Sequence, residues 1–105
     1  MKVSAFLVTE SEILDQAALA VYVPRVQPAL SAAGGRPAVI SSVGGRIVGL
    51  VGEAPRTYVV SEWESLAKVQ AWLASPELKA LAPQREKAYR VIRQFIVEEV
   101  ARASG

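Results

Sequence analysis

The stretch Trp72 to Arg85, WLASPELKALAPQR, constrains the fold of this chain more than any other. Within it, Ser75-Pro76-Glu77 ends one apolar helix and starts another. A serine side chain can accept hydrogen bonds from the free N–H groups of a first turn, proline suits that turn because it has no N–H to leave unpaired, and glutamate lies against the positive end of the helix dipole. The break prevents a single long helix from running into the C-terminal apolar segment. It delivers a basic side chain, Arg85, to the foot of that segment.

Tyr89 to Val97 could by its length be strand or helix. Its enrichment in Val, Ile and Phe favours strand, as does the alternation of Val91, Arg93, Phe95 and Val97 against Ile92, Gln94 and Ile96. At the other end, Val3 to Thr9 reads as a short strand buried on both faces, and Glu10 and Glu12 after it as a solvated turn. Asp15 caps a helix whose apolar stripe runs Leu19, Tyr22, Val23, Val26, Leu30 and Ala33 at spacings of three and four. Pro24 and Pro28 fall within that stripe, and each removes a backbone hydrogen bond, so a kink or restart is predicted near Tyr22 to Arg25.

Gly34-Gly35 stops the helix, one of the two in the left-handed conformation, and this explains the pair better than an anion cradle at Gly34-Gly35-Arg36. Pro37 to Val43 reads as a strand, Gly44-Gly45 as a tight turn, and Ile47 to Val51 as the return strand of an extra hairpin. Thr57 to Trp63 is a further strand, with Tyr58, Val60 and Glu62 on one face and Val59, Ser61 and Trp63 on the other. Ser65 caps a second helix with Leu66, Val69, Trp72 and Leu73 as its core stripe. A short helix from Glu77 adds Leu78 and Leu81, and Pro83 opens one more turn.

This order predicts an α+β, ferredoxin-like βαββαβ fold with an extra β-hairpin, its antiparallel sheet carrying helices on one face. Residues 1–105 form one domain, long enough to bury roughly 60–70% of the unfolded surface but too short for a large private pocket. The sheet's other face is apolar and bare. A second copy laid face to face is the simplest cover, and a homodimer is predicted.

Composition narrows the chemistry. Twelve Lys and Arg against ten Asp and Glu leave a net charge of only +2, and Arg25, Arg36, Arg46, Arg56, Arg85 and Arg93 are scattered, which argues against nucleic acid as a partner. The absence of cysteine excludes disulfides and thiol chemistry, and the absence of histidine removes the commonest acid–base group and metal ligand. No metal or cofactor is expected. The N-terminal MKVSAFLVTESE meets acidic residues too early for a signal peptide or a membrane span, so a cytoplasmic protein without membrane attachment is expected.

Several features recur here in a familiar order. Asp15 stands seven residues before Tyr22, Gly34-Gly35-Arg36 forms a turn, a strand ends in Glu62 and an aromatic residue, Trp72 precedes Ser75-Pro76-Glu77, and Arg85 follows. In this set the chain resembles the DUF1330 family of dimeric α/β-barrel proteins. It departs from the family at Trp63, where phenylalanine is more usual, and at Leu78, where an aromatic ring such as tyrosine is more usual. The resemblance implies the fold, dimerisation into an α/β barrel, and a cavity between sheet and helices in which a small molecule sits. It implies no reaction.

The candidate ligand-binding residues are Tyr22, Glu62 and Arg85, with Trp72 and Ser75 as a wall. If Glu62 points inward beside Arg85, the arginine fork can hold a carboxylate, Tyr22 can donate a hydrogen bond, and Glu62 can position Arg85 or exchange a proton. The bland alternative makes Glu62 and Arg85 a structural ion pair and Tyr22 a core residue. Trp63 and Trp72 read as packing. The leading expectation is a binding protein for a small acidic or carbonyl-bearing metabolite. The competing readings are a structural or interaction module without ligand and, third, a cofactor-independent oxygenase- or isomerase-like enzyme.

Overall fold

A computed structural model of the chain describes residues 4–40 and 45–99. Its elements are β1 (Ala5–Ile13), α1 (Gln16–Ala33), β2 (Arg36–Ile40), β3 (Thr57–Trp63), α2 (Leu66–Leu73), α3 (Pro76–Ala80), α4 (Ala82–Ala88) and β4 (Tyr89–Glu98). The strands form one sheet in the order β2-β3-β1-β4, every neighbouring pair antiparallel. The fold is α+β and ferredoxin-like, as expected.

β1 reaches Ile13, four residues beyond the predicted end, and Val3 lies outside the described residues. Glu10 and Glu12 do not end the strand because alternation places both on the sheet face away from the helices. There Glu10 Oε1 lies 3.1 Å from Arg93 Nε, and Glu12 Oε2 accepts from Arg90 at 3.4 Å. Their neighbours Ser11 and Ile13 continue the face beneath the helices. The metal-free reading of Glu10 and Glu12 as a turn is thus corrected to a strand; Asp15 does cap α1, its Oδ1 accepting from the N–H groups of Ala17 and Ala18 at 2.9 and 3.1 Å.

α1 runs from Gln16 to Ala33 without the restart expected near Tyr22 to Arg25. Pro24 and Pro28 are exposed, and so is Ala20, so the carbonyls that lose a partner belong to positions on the solvent side, where water can replace it. The opposite face packs Val26, Ala29, Leu30 and Ala33 on the core. Gly34 ends the helix at φ 105°, with its N–H bonded to Ser31 O at 3.1 Å and the Gly35 N–H to Leu30 O at 2.9 Å.

Among the described residues the predicted hairpin is not formed. β2 pairs with β3 rather than with Ile47 to Val51, residues 45–50 have no regular structure, and Ser41 to Gly44 lie outside the described residues. Ile47 to Val51 has the composition of a strand, but a strand needs a neighbour's N–H and C=O groups, and here Leu50 and Val51 are almost fully exposed.

β3 has the predicted bounds and alternation. Its covered face buries Thr57, Ser61 and Trp63. The Trp63 indole N–H is satisfied by Ser61 Oγ at 2.9 Å, and its ring lies against Trp72 with centroids 6.0 Å apart. With Ala5, Leu7, Val69 and Leu78 the two indoles form the core, and Gly35 passes directly over the Trp63 ring. Ser65 and Ser75 cap α2 and α3 as predicted, accepting from Lys68 N at 3.3 Å and Leu78 N at 3.2 Å.

β4 is a strand throughout, but the predicted alternation holds only in its C-terminal half. Glu10 stands opposite Arg93 and Ser11 opposite Val91, so Ile92 is an extra, unpaired residue. This bulge shifts Val91 off the face of Arg93, Phe95 and Val97 and onto the covered face. Tyr89, opposite Ile13, follows it there.

Candidate functional site

Between the covered face of the sheet and the helices lies a cavity of about 300 Å³. Its floor is the inward row of all four strands, including Pro37 of β2, Leu7, Thr9 and Ser11 of β1, Thr57 and Val59 of β3, and Gln94 of β4. Its roof is built by Tyr22, Val26 and Leu30 of α1, by Trp72 and Leu73 of α2, and by Leu78 of α3. Gln94 Nε2 donates to Thr9 Oγ1 at 3.0 Å, which uses part of the floor's polar capacity.

Polar groups gather towards one end. Ser11 stands opposite both Thr57 and Val91, and Ile13 opposite Tyr89, so Ser11, Thr57 and Tyr89 share the end of the floor that Tyr22 and Arg85 also line. Leu7 lies two positions further along β1 than Thr9, towards Trp63 and its partner Trp72. The cavity is therefore amphipathic along its length.

The Tyr22 and Tyr89 rings meet edge to face, centroids 5.7 Å apart at 69°. Burial pushes both phenols above the ordinary tyrosine range, and the neighbouring Tyr89 adds to the shift at Tyr22. The Arg85 guanidinium works in the opposite direction on both, which places its charge beside the pair. Arg85 has no carboxylate partner among the described residues, and no Asp, Glu, Lys, His or Cys lines the cavity with it. Nor does any group of three or more acidic residues converge as a cation site among the described residues.

Of the five predicted site residues, the fold brings together Tyr22, Trp72 and Arg85. Ser75 is not in the wall: its hydroxyl donates to Trp72 O at 2.7 Å and accepts from Leu78 N, so it is occupied as the cap of α3. Glu62 is on the other face of the sheet. It pairs with Arg36, the first residue of β2, whose Nε donates to Glu62 Oε1 at 2.7 Å, and neither the catalytic nor the structural pairing with Arg85 forms. The reason is parity, since Glu62 lies between inward-facing Ser61 and Trp63 on a regular strand. Trp63 is core packing, as expected.

Sequence reasoning missed Tyr89, which it took only as the start of a strand. The signal that could have found it is its place four residues after Arg85, one helical turn along the exit from α4.

A helix-covered antiparallel sheet enclosing an apolar cavity with a cationic end defines a small α+β protein of the ferredoxin-like class. The chain belongs to the DUF1330 family, described as a domain of unknown function, whose profile matches residues 4–100. Comparison with curated proteins yields no match. Among solved structures, the chain is similar to the methylated RPA0582 protein, with a TM-score of 0.64 at 14% identity, covering 100% of this chain and 85% of that one. It is also similar to the RPA0582 protein of unknown function from Rhodopseudomonas palustris, with a TM-score of 0.61 at 14% identity over 97% of this chain and 85% of that one. A more distant likeness is to a putative antibiotic biosynthesis monooxygenase from Chloroflexus aurantiacus J-10-fl, with a TM-score of 0.47 at 12% identity over 99% and 98% of the two chains. At these identities the two likenesses to the RPA0582 protein speak for the fold alone.

Proposed function

We propose that this protein is a cytoplasmic homodimer that binds a small, largely apolar metabolite bearing an acidic or carbonyl group in the cavity between sheet and helices. The observation that carries this reading is Arg85, a cation without a carboxylate partner among the described residues, which lines an otherwise uncharged, largely apolar cavity beside two tyrosines. A partly buried guanidinium is stabilised by an anion that accepts from its fork, and the cavity supplies that anion from outside the chain. Arg85 holds the acidic end, Tyr22 helps orient it, and Trp72, Leu73 and Leu30 receive the apolar body. Binding is favoured over catalysis because no lining side chain can accept a proton near neutral pH.

The dimer rests on the sheet's uncovered face. Phe6, Val8 and Val60 are continued there by Phe95 and Val97, which are 44% and 48% exposed in the single chain. This apolar centre is flanked by the Arg36–Glu62 pair at one end and Glu10–Arg93 and Glu12–Arg90 at the other. An apolar patch with an ionic rim of both signs suits a second copy related by two-fold symmetry. No helix among the described residues is long and apolar enough to cross a membrane.

Trp72 in the cavity wall provides the test. Titration with 3-phenylpropionate should change tryptophan fluorescence saturably, 3-phenylpropionamide should bind more weakly, and Arg85→Gln should remove the preference for the acid while the fold persists. Absence of saturable binding of either compound to the unaltered protein, or unchanged affinity for both in Arg85→Gln, would refute the reading.

A further inference from the structure

Resting on the reading that the cavity takes an apolar acid, we infer that the ligand is a hydroxy acid. The Ser11 and Thr57 hydroxyls on the cavity floor receive an alcohol group on its second or third carbon, beside the carboxylate that Arg85 holds.

Four hydroxyls stand in the covered rows of the two central strands, β1 and β3, and they divide into two kinds. Ser61 Oγ accepts from the Trp63 indole at 2.9 Å and Thr9 Oγ1 from Gln94 at 3.0 Å, so these two are occupied within the chain. Ser11 and Thr57 are more than nine-tenths buried, at 4% and 7% exposure, yet neither hydroxyl has a hydrogen-bond partner among the described residues. No fully enclosed side-chain oxygen among the described residues lacks a partner, so these two oxygens are not sealed in the packing. They open on the cavity that both residues line.

Register brings the pair together. Ser11 and Thr57 stand directly opposite one another, which puts their Cβ atoms about 5 Å apart on one face of the sheet. On its other side Ser11 faces Val91, while Tyr89 faces Ile13, one inward position along β1 and about 7 Å away. The hydroxyl pair is therefore next to the end where Arg85 and the two tyrosines gather. From that end the inward row of β1 runs Ser11, Thr9, Leu7. A ligand that gives its carboxylate to Arg85 passes its first carbons over the hydroxyl pair before its apolar body reaches Leu7 and Trp72.

A serine or threonine hydroxyl is donor and acceptor at once. An alcohol on the ligand, which is also both, donates to one of the pair and accepts from the other. A carbonyl oxygen only accepts, and a methylene group leaves both unpaired. The fold gains no internal hydrogen bond from either side chain, and alanine and valine would fill the same positions.

The experiment extends the fluorescence titration to 3-phenylpropionate, 3-phenyllactate and 3-hydroxy-3-phenylpropionate, which differ only in a hydroxyl on carbon 2 or 3. The proteins are the unaltered chain, Ser11→Ala, Thr57→Val, their double variant and Arg85→Gln. At least one hydroxy acid should bind about three- to tenfold more tightly than 3-phenylpropionate, the worth of one net hydrogen bond. Each single substitution should reduce that gain and the double variant should abolish it, with the affinity for 3-phenylpropionate unchanged. Arg85→Gln should weaken all three acids. Side chains that only support the fold would move the three acids alike. The inference is overturned if neither hydroxy acid outbinds 3-phenylpropionate, if the gain survives in the double variant, or if the substitutions unfold the protein or weaken all three acids equally. Where the unaltered protein still binds the acids through Arg85, each of those outcomes leaves the acid-binding reading standing. If the unaltered protein binds none of the three saturably, or Arg85→Gln leaves every affinity unchanged, that reading falls and this inference falls with it.

Discussion

Glu62 and Arg85 are separated by the sheet: Glu62 bonds Arg36 on the uncovered face, while Arg85 lines the cavity on the covered one. The Arg36 side chain is 75% exposed, and an ion pair in that setting contributes little to stability. Glu62→Gln is expected to change the unfolding free energy by less than about 1 kcal/mol in urea titration. It should leave the affinity for 3-phenylpropionate unaltered. A loss of binding comparable with that of Arg85→Gln would contradict this separation of faces.

Gly35 is needed for a close approach rather than for an unusual φ. A Cβ at this position would lie 2.5 Å from Cζ2 of Trp63, a side chain only 1% exposed and held by Ser61 and by the Trp72 ring. Neither the ring nor the backbone has room to move. Gly35→Ala should destabilise the protein by about 1–3 kcal/mol, measured by chemical denaturation, with the tryptophan environment changed in near-ultraviolet circular dichroism. Gly34→Ala should be costly for a different reason, the left-handed φ at the helix end, and should leave the indole signal closer to normal.

The tyrosine pair makes the folded state sensitive to alkali. Both phenols have raised pKa values in the fold, so between the ordinary tyrosine value near 10 and the higher folded values the native state holds more protons than the unfolded one. Stability is therefore unaffected by this pair below about pH 10 and falls as pH rises above it. Tyrosinate absorbance should show Tyr22 and Tyr89 ionising together with unfolding rather than before it. Tyr22→Phe should reduce the steepness of the alkaline loss, and an unchanged pH profile in that variant would count against the burial argument.

Phe95 tests the dimer. It stands opposite Val8 at the centre of the uncovered apolar face and is 44% exposed in the single chain. A charge there cannot be buried against a second copy without a partner. Phe95→Glu is expected to halve the particle mass in light scattering while the far-ultraviolet circular dichroism stays native. If the unaltered chain already scatters as a monomer at micromolar concentration, the interface proposal is wrong.

Much of the architecture was legible because local signals agreed with one another. Ser65, Ser75 and Asp15 each announced a helix start that the fold uses, and Thr57 to Trp63 alternates over its full length. The errors arose where the deciding partner is distant in sequence. Ile47 to Val51 has strand composition but no neighbouring strand among the described residues, and Glu10 looks like the end of a strand until Arg93 is set opposite it. The prolines of α1 read as interruptions, yet their exposed positions let the helix continue.

By itself the sequence determined where the capped helices begin, that Thr57 to Trp63 and the segment after Tyr89 are strands, and that Tyr22, Trp72 and Arg85 belong together beneath the helices, because caps, periodicity and side-chain character act over a few residues. Tertiary structure decided what those residues meet. Strand parity sent Glu62 to the far face and into the reach of Arg36, and the extra residue at Ile92 turned Val91 inward with Tyr89 beyond it. Both outcomes depend on register between strands remote in the chain, where a shift of one residue exchanges the two faces of a sheet.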